Sequence, residues 1–304
     1  MPSRRNFLKL TTATSAALIM NPLENFAKPV AVKSAPGFSL TVMATNWGFP
    51  GNWDEFCAKA KAAGYDGAEI WWPTDTTERA RMFDALNKHG LKFAFLWGSG
   101  NPVFKDNQAE FEATLNKIVK ANPIYINCHS GRDFFTADQK LQAIAFTTAL
   151  SKSANIPIYH ETHRGRALYS APVTRELIEK NKDLRITLDI SHWCNVHESL
   201  LADQQDTINL VLSRVDHIHA RVGHAEGPQV SEPRAPEWES AVKAHFAWWD
   251  TVVETRKKEG KGLTVLTEFG PPDYMWTTPY TRQPLANQWD INVHMMNTFR
   301  KRYL

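Results

Sequence analysis

Six short apolar runs in this chain end in side chains able to hold a cation or move a proton. They are Ala68-Glu69-Ile70-Trp71, Asn127-Cys128-His129, Tyr159-His160-Glu161-Thr162-His163, Leu188-Asp189-Ile190-Ser191-His192, His217-Ile218-His219-Ala220-Arg221 and Leu266-Thr267-Glu268-Phe269. Charged groups are rarely buried unless they are paired or bound to metal. Four of these runs in succession deliver Glu161, Asp189, His219 and Glu268, three carboxylates and one imidazole. An oxygen-rich set with a single nitrogen suits one divalent ion, Mn²⁺, Mg²⁺ or Co²⁺, with Zn²⁺ also compatible. Without a cation the three carboxylates would repel one another strongly at low dielectric.

The chemistry follows from that set. A divalent ion polarises a substrate carbonyl and its neighbouring hydroxyl, acidifies the C–H between them and stabilises the resulting enediolate. Glu161 or Glu268 takes the proton and the opposite glutamate or a water returns it, which isomerises or epimerises a sugar. If the enediolate expels a β-substituent, the same site is a lyase or dehydratase acting on a keto-sugar or 3-keto-glycoside. His163, His129 and His192 are candidates for the acid that protonates the leaving group. A third reading is a sugar-binding barrel without turnover.

These residues need a scaffold that brings strand ends together. From Gly37 onward, apolar runs alternate with helical patterns. The predicted strands are 38–45, 67–72, 91–97, 124–129, 156–161, 186–190, 215–222 and 263–269. Helices are predicted over 52–63, 77–89, 108–121, 137–153, 172–181, within 198–212, over 236–259 and over 286–300. Eight such units in about 270 residues match a single-domain (β/α)₈ TIM barrel spanning residues 34–304, whose active site lies at the C-terminal strand ends. A doubly wound open sheet usually carries a glycine-rich phosphate turn after its first strand. Here that turn is Asn46-Trp47-Gly48-Phe49-Pro50-Gly51, which lacks the pattern.

Period-two alternation puts His217, His219 and Arg221 on one strand face. His219 is the metal ligand, Arg221 lies one step nearer substrate, and His217 lies deeper, as a site residue or a core histidine. Of the 11 tryptophans, Trp47, Trp71, Trp72, Trp97, Trp193 and Trp276 fall at or just past strand ends. Aromatic faces there suit the apolar face of a sugar ring. Trp238, Trp248 and Trp249 are expected to pack against the barrel. Glu69, His129, His192, Arg221, Trp71, Trp97 and Gln229 are the candidate substrate contacts. With no basic cluster near the seventh and eighth strands, an unphosphorylated sugar or glycoside is expected.

The strings Tyr65-Asp66-Gly67-Ala68-Glu69, His160-Glu161-Thr162-His163, Asp189-Ile190-Ser191-His192, His217-Ile218-His219-Ala220-Arg221 and Thr267-Glu268-Phe269-Gly270 resemble the xylose isomerase-like TIM barrel superfamily, in particular its sugar phosphate isomerase/epimerase group. The resemblance implies metal ligation by Glu161, Asp189, His219 and Glu268, with the two glutamates exchanging the proton from opposite faces of the sugar. It implies an outer-shell role for His192 and a substrate contact for an arginine, here Arg221, which sits closer to the metal histidine than in those epimerases. The segment Gly223–Pro236, with Gln229, looks like a lineage-specific substrate loop. Endonucleases of the superfamily need further ligand histidines and a basic groove, neither of which the sequence displays.

The first 33 residues read separately. Ser3-Arg4-Arg5-Asn6-Phe7-Leu8-Lys9 followed by the uncharged stretch Leu10–Met20 resembles a twin-arginine export signal. Its apolar core is about half the ~20 residues that span a bilayer. A periplasmic or cell-envelope location follows, with no membrane span in the mature form. The raw net charge is +3, but residues 34–304 hold 30 basic and 31 acidic residues. That balance argues against a nucleic-acid partner and leaves a small carbohydrate. Three dispersed cysteines, Cys57, Cys128 and Cys194, form no disulfide framework. A homo-oligomer is compatible with the sequence.

Overall fold

A computed structural model describes residues 37–304; the expected export signal lies outside the described residues. Strands and helices alternate as β1 (Leu40–Thr45), α1 (Trp53–Ala63), β2 (Gly67–Trp71), α2 (Thr76–His89), β3 (Lys92–Trp97), α3 (Phe104–Ile118), β4 (Ile126–Cys128), α4 (Ala137–Ala154), β5 (Ile158–Glu161) and α5 (Ala171–Lys180). They continue as β6 (Ile186–Leu188), α6 (Ser191–Val196), α7 (Gln205–Leu212), β7 (Val215–His219), α8 (Glu239–Glu259), β8 (Leu263–Leu266) and α9 (Gln288–Tyr303). The eight parallel strands follow one another in chain order and close when β8 pairs with β1, Leu40 opposite Leu263. The chain is a single-domain (β/α)₈ barrel, as expected.

Local chemistry sets the boundaries. Asn52 and Glu55 form a reciprocal capping box at the start of α1, as Thr136 and Gln139 do for α4. Helix α1 stops where Gly64 takes a left-handed conformation at φ 99°, which a glycine adopts without a side-chain clash. Several strands are shorter than the sequence pattern suggests. β4, β6, β7 and β8 end at Cys128, Leu188, His219 and Leu266, because the polar residues that follow leave the sheet to turn over the barrel mouth. The helix expected within 198–212 is α7, and a further helix that the pattern did not indicate precedes it. That helix, α6, opens at Ser191, inside the candidate site.

The core lies between barrel and helices. One half packs Phe56, Met82, Leu86, Phe95, Phe111 and Leu115, and the other packs Trp193, Phe246, Trp249 and Phe299. A separate small cluster of Met43, Ala94, Tyr125 and Leu266 comes from strands β1, β3 and β8 and the residue before β4. Trp248 and Trp249 pack as expected from α8. Trp72 and Trp193, expected at the sugar face, belong to the core instead. Trp72 meets Phe95 at 4.8 Å between ring centroids, and Trp193 is fully buried with its indole N–H donated to the Leu168 carbonyl at 2.9 Å.

Trp249 is fully buried against Phe246 and Phe299. Trp249→Ala is expected to lower unfolding free energy by about 3–5 kcal/mol, read by urea denaturation. A loss under about 1 kcal/mol would contradict close packing of α8 on α9.

Candidate metal centre

Alternation along β2, β5 and β7 directs Glu69, Glu161 and His219 inward, and the residues just past β6 and β8 add Asp189 and Glu268. Glu161, Asp189, His219 and Glu268 each bring one ligand atom within 4.8 Å of the others, and all four side chains are buried. His219 Nδ1 lies 2.9 Å from Glu268 Oε2 and 3.6 Å from Glu161 Oε2. Its other nitrogen, Nε2, faces Glu69 Oε1 at 3.1 Å. An imidazole that points one nitrogen at a cation site and the other at a carboxylate has its tautomer and orientation fixed from behind.

Glu69 therefore supports the centre from beneath. It accepts from the Tyr125 hydroxyl at 2.7 Å and from Asn127 Nδ2 at 3.3 Å, and it lies 3.0 Å from His217 Nε2. Expected as a substrate contact, it is instead enclosed, with both oxygens occupied by protein. Burial alone would raise its pKa, but His219 and His217 outweigh that and hold the carboxyl well below its usual range. His217 is a buried partner of Glu69, with its Nδ1 at the Thr264 hydroxyl, 2.7 Å away.

The four ligands carry opposing forces. At Glu161 burial is outweighed by His129 and His219, so its carboxyl stays well below the usual range. At Asp189 burial dominates and, helped by Glu268 and Glu161 against Arg221, pushes the carboxyl up to about 6. Burial opposes charge on His219, yet Glu268, Glu161 and Glu69 hold its imidazole well above the ordinary value. Four carboxylates, counting Glu69, thus face two cationic side chains, His219 and Arg221. The donor chemistry, three hard oxygens and one imidazole nitrogen with a deficit of positive charge, fits a divalent cation.

Arg221 braces this set. Its guanidinium pairs with Asp189 Oδ2, donates from Nε to Ser191 Oγ at 3.2 Å, and lies 4.7 Å from the centre of the Tyr274 ring. Ser191 Oγ also donates to Asp189 Oδ1, and Thr162 Oγ1 accepts from the Asp189 amide at 2.8 Å. Arg221, expected to reach substrate, is only 2 % exposed and holds the ligands in place.

Beside Glu161 the rings of His129, His163 and His192 crowd together, with centroids 4.4 Å and 3.9 Å apart and planes tilted by 45° and 49°. His129 Nε2 lies 2.9 Å from Glu161 Oε2. Burial first, then the His129 and Arg221 charges, push His163 well below its usual range; burial, His163 and Arg221 do the same to His192. His129, Glu161 and His163 form a second group within 4.8 Å, sharing Glu161 with the first. Further histidines, not evident in the sequence, are thus present, because the turn after β5 folds His163 back over the β4 end.

Trp71 is 43 % exposed, its ring 5.9 Å from Trp97 and 5.6 Å from His129, at the barrel mouth. Trp97 is buried behind it. Trp47 meets Tyr274 edge-on at 5.0 Å, while Trp276 packs on Trp238 and His224. Trp238, expected on the long helix, lies instead in the 3₁₀ turn Pro236–Trp238 that precedes α8. Gln229 is placed differently from expectation. Its amide donates to the Gly270 carbonyl at 3.2 Å and accepts from the Gly270 amide at 2.7 Å, so it clamps the β8 loop. His245 does the same for the β7 loop by accepting from Gly223 N at 3.1 Å.

The sequence pattern overlooked Tyr125, Asn127, Thr162, Ser191 and Tyr274. Alternation could have flagged Tyr125 and Asn127, which share a face with His129. Tyr274 sits in an irregular loop where no periodicity operates.

No protein-family description and no curated protein matches this sequence. Solved structures do share its shape. A 3-keto-D-glucoside 4-epimerase from E. coli aligns with a TM-score of 0.59 at 13% identity, over 86% of this chain and 100% of that one. A xylose isomerase-like TIM barrel protein from Mycobacterium smegmatis, in complex with magnesium, gives 0.58 at 8%, over 87% and 98%. A probable 3-DHS dehydratase from Bacillus anthracis gives 0.56 at 16%, over 87% and 100%. The likeness is one of fold. An epimerase and a dehydratase both have it, so the reaction must be argued from the residues.

Glu69→Gln keeps all four ligands but weakens the hold on His219. Mn²⁺ titration followed by electron paramagnetic resonance is expected to show affinity reduced about 10–100-fold. Arg175→Ala, at an exposed pair with Glu179 on α5, should stay within about twofold. Unchanged affinity in Glu69→Gln would contradict the supporting role.

Proposed function

We propose that this chain is a divalent-metal-dependent isomerase or epimerase that moves a proton on a sugar or keto-sugar, and that it belongs with the xylose isomerase-like barrels. The observation that carries this reading is the convergence of Glu161, Asp189, His219 and Glu268 within 4.8 Å at the barrel mouth. Two of the four are glutamates that both approach His219 Nδ1, at 2.9 Å and 3.6 Å, each able to bind a cation or exchange a proton.

Glu161, Asp189, His219 and Glu268 would hold the ion, which supplies Lewis-acid polarisation of a carbonyl and adjacent hydroxyl. Glu268, the most open ligand at 7 % exposure, faces the mouth and is assigned removal of the proton from carbon. Glu161, fixed by Asn127 at 2.7 Å and His129 at 2.9 Å, is the opposing partner that returns it. Asp189, held by Arg221 and Ser191, serves as ligand only. Trp71 offers an apolar face to the sugar ring.

The second reading is a lyase or dehydratase, favoured by the histidine cluster beside Glu161 and by the dehydratase among the solved barrels of this fold. His163 is one of the three candidate acids. Burial keeps it and His192 neutral, which makes them weak acids toward a leaving group and ranks this reading second. Sugar binding without turnover ranks third. Residues 1–33 are assigned to twin-arginine export, which would place the mature barrel in the periplasm.

The purified protein loaded with Mn²⁺ or Mg²⁺ and incubated in heavy water with a panel of keto-sugars and 3-keto-glycosides is expected to incorporate deuterium next to the carbonyl, by NMR. Chelation should abolish incorporation and added metal restore it. Glu268→Gln should slow it by about 10²–10⁴-fold. An unsaturated product would identify the lyase, bound sugar without exchange a binding protein, and full activity in metal-free protein would overturn the proposal.

A further inference from the structure

The loops after β3, β4 and β5 carry a feature that neither the ligand set nor its supports use. Arg132 follows β4 and Arg166 follows β5. Arg132 donates from Nη1 to the Gly100 carbonyl at 3.0 Å, and Arg166 donates from Nη1 to the Ser99 carbonyl at 2.7 Å. Two guanidiniums from different loops are thus anchored side by side on consecutive residues of a third loop. The loops are themselves tied, Ala167 N to Ser130 O at 2.8 Å and Asp133 N to Gly165 O at 3.3 Å.

The pair stands at the rim of the metal centre. The loop it grips leaves β3 through Gly98, whose missing Cβ would lie 2.4 Å from the His129 carbonyl oxygen, so this chain passes directly against the residue that contacts Glu161. Arg166 is near enough for the Glu161 and Asp133 carboxylates to favour its charge, while burial and the adjacent Arg132 oppose it more strongly. Among the described residues neither guanidinium makes an ion pair with a carboxylate, and each is bound by one Nη1 donor to a carbonyl, leaving its other N–H groups free for a ligand. Two like charges fixed together and half-buried, with no carboxylate in ion-pair contact, are arranged for an anionic ligand group. The planar fork of arginine suits a carboxylate or phosphate better than a neutral hydroxyl.

We infer that Arg132 and Arg166 form a subsite for an anionic group on the substrate, so that the sugar carries a carboxylate or phosphate at the end remote from its metal-binding oxygens. The inference rests on the carbohydrate reading of the site and narrows its substrate class. It also revises the expectation of a substrate without phosphate, which was drawn from the absence of basic residues near the seventh and eighth strands. The basic pair lies by the third to fifth strands instead. A guanidinium pair held in place beforehand binds such a group without further ordering cost and aligns the sugar's other end with Glu161 and Glu268.

Isothermal titration of the Mg²⁺-loaded full-length protein with D-glucuronate, D-glucose 6-phosphate and D-glucose tests this. At least one anionic sugar is expected to bind about tenfold or more tightly than D-glucose, a preference that shrinks at high salt. Preference for glucuronate assigns a carboxylate, and preference for glucose 6-phosphate a phosphate. Arg132→Gln, whose anchor lies at the exposed surface, and Arg166→Gln should each remove most of the preference while Mg²⁺ affinity stays within twofold; Arg166→Lys should restore part of it. Equal binding of D-glucose, no binding of either anionic sugar, or an undiminished preference in both glutamine variants overturns the inference. The readout is binding, so loss of this subsite and failure of solvent proton exchange are separate results.

Discussion

Like charge held away from water is the constraint around which the barrel mouth is built. Glu161, Asp189 and Glu268 converge within 4.8 Å where solvent hardly reaches, with Glu69 behind them against His219, and no carboxylate cluster persists there without positive charge. His219 and Arg221 supply part of it. His219 touches Glu69 through one nitrogen and Glu268 through the other. Arg221 takes Asp189 and approaches Glu268 at 3.5 Å. The remaining deficit makes the centre compatible with a cation, and the same deficit dictates its supports, since each carboxylate needs a fixed donor to keep it from swinging away from the others.

Those donors explain features of the fold that look incidental when taken alone. Strand β6 ends early so that Ser191 can begin α6 with its hydroxyl and amide on Asp189. The β7 and β8 loops are pinned by single buried side chains. His245 holds Gly223, Gln229 holds Gly270, and Asn292 accepts from the Phe269 amide at 2.8 Å while donating to its carbonyl. Gly223 has to be glycine because a Cβ there would lie 2.6 Å from the Ser191 carbonyl oxygen. The outer loops thus rest directly on the ligand-bearing turns, and a change in one is felt by the other. A mouth organised in this way places Glu161 and Glu268 on rigid supports, which is what the proton transfer proposed for them demands.

Much of this was legible in the linear sequence. Eight apolar runs with helical intervals implied the barrel, and the polar residues closing those runs include Glu161, Asp189, His219 and Glu268, which the fold brings within 4.8 Å of one another, because barrel geometry converts the end of a strand into a position in space. Where side chains act through partners distant in sequence, the pattern misassigned them. Gln229 lies in a loop rich enough in polar groups to suggest substrate contact, yet its partner is Gly270. Trp193 follows a ligand strand but turns into the core because α6 starts two residues earlier. Tyr274, over Arg221, comes from a loop without any periodic signal. Arg132 and Arg166 stand 34 residues apart, and nothing in the chain between them announces that they meet.

The sequence alone determined the order of strands and helices, the strand ends that carry the charged residues and the hard, oxygen-rich character of the ligand set. Alternation and the closure of eight parallel strands leave little freedom in those respects. Tertiary structure alone decided which of the polar residues are ligands' supports and which face the mouth. Glu69 and Arg221 went inward as braces, three histidines were crowded together with His129 on Glu161, and two arginines were brought together at the rim. Those outcomes depend on loop paths, and loop paths are set by packing and hydrogen bonds between residues far apart in the chain, which no local periodicity records.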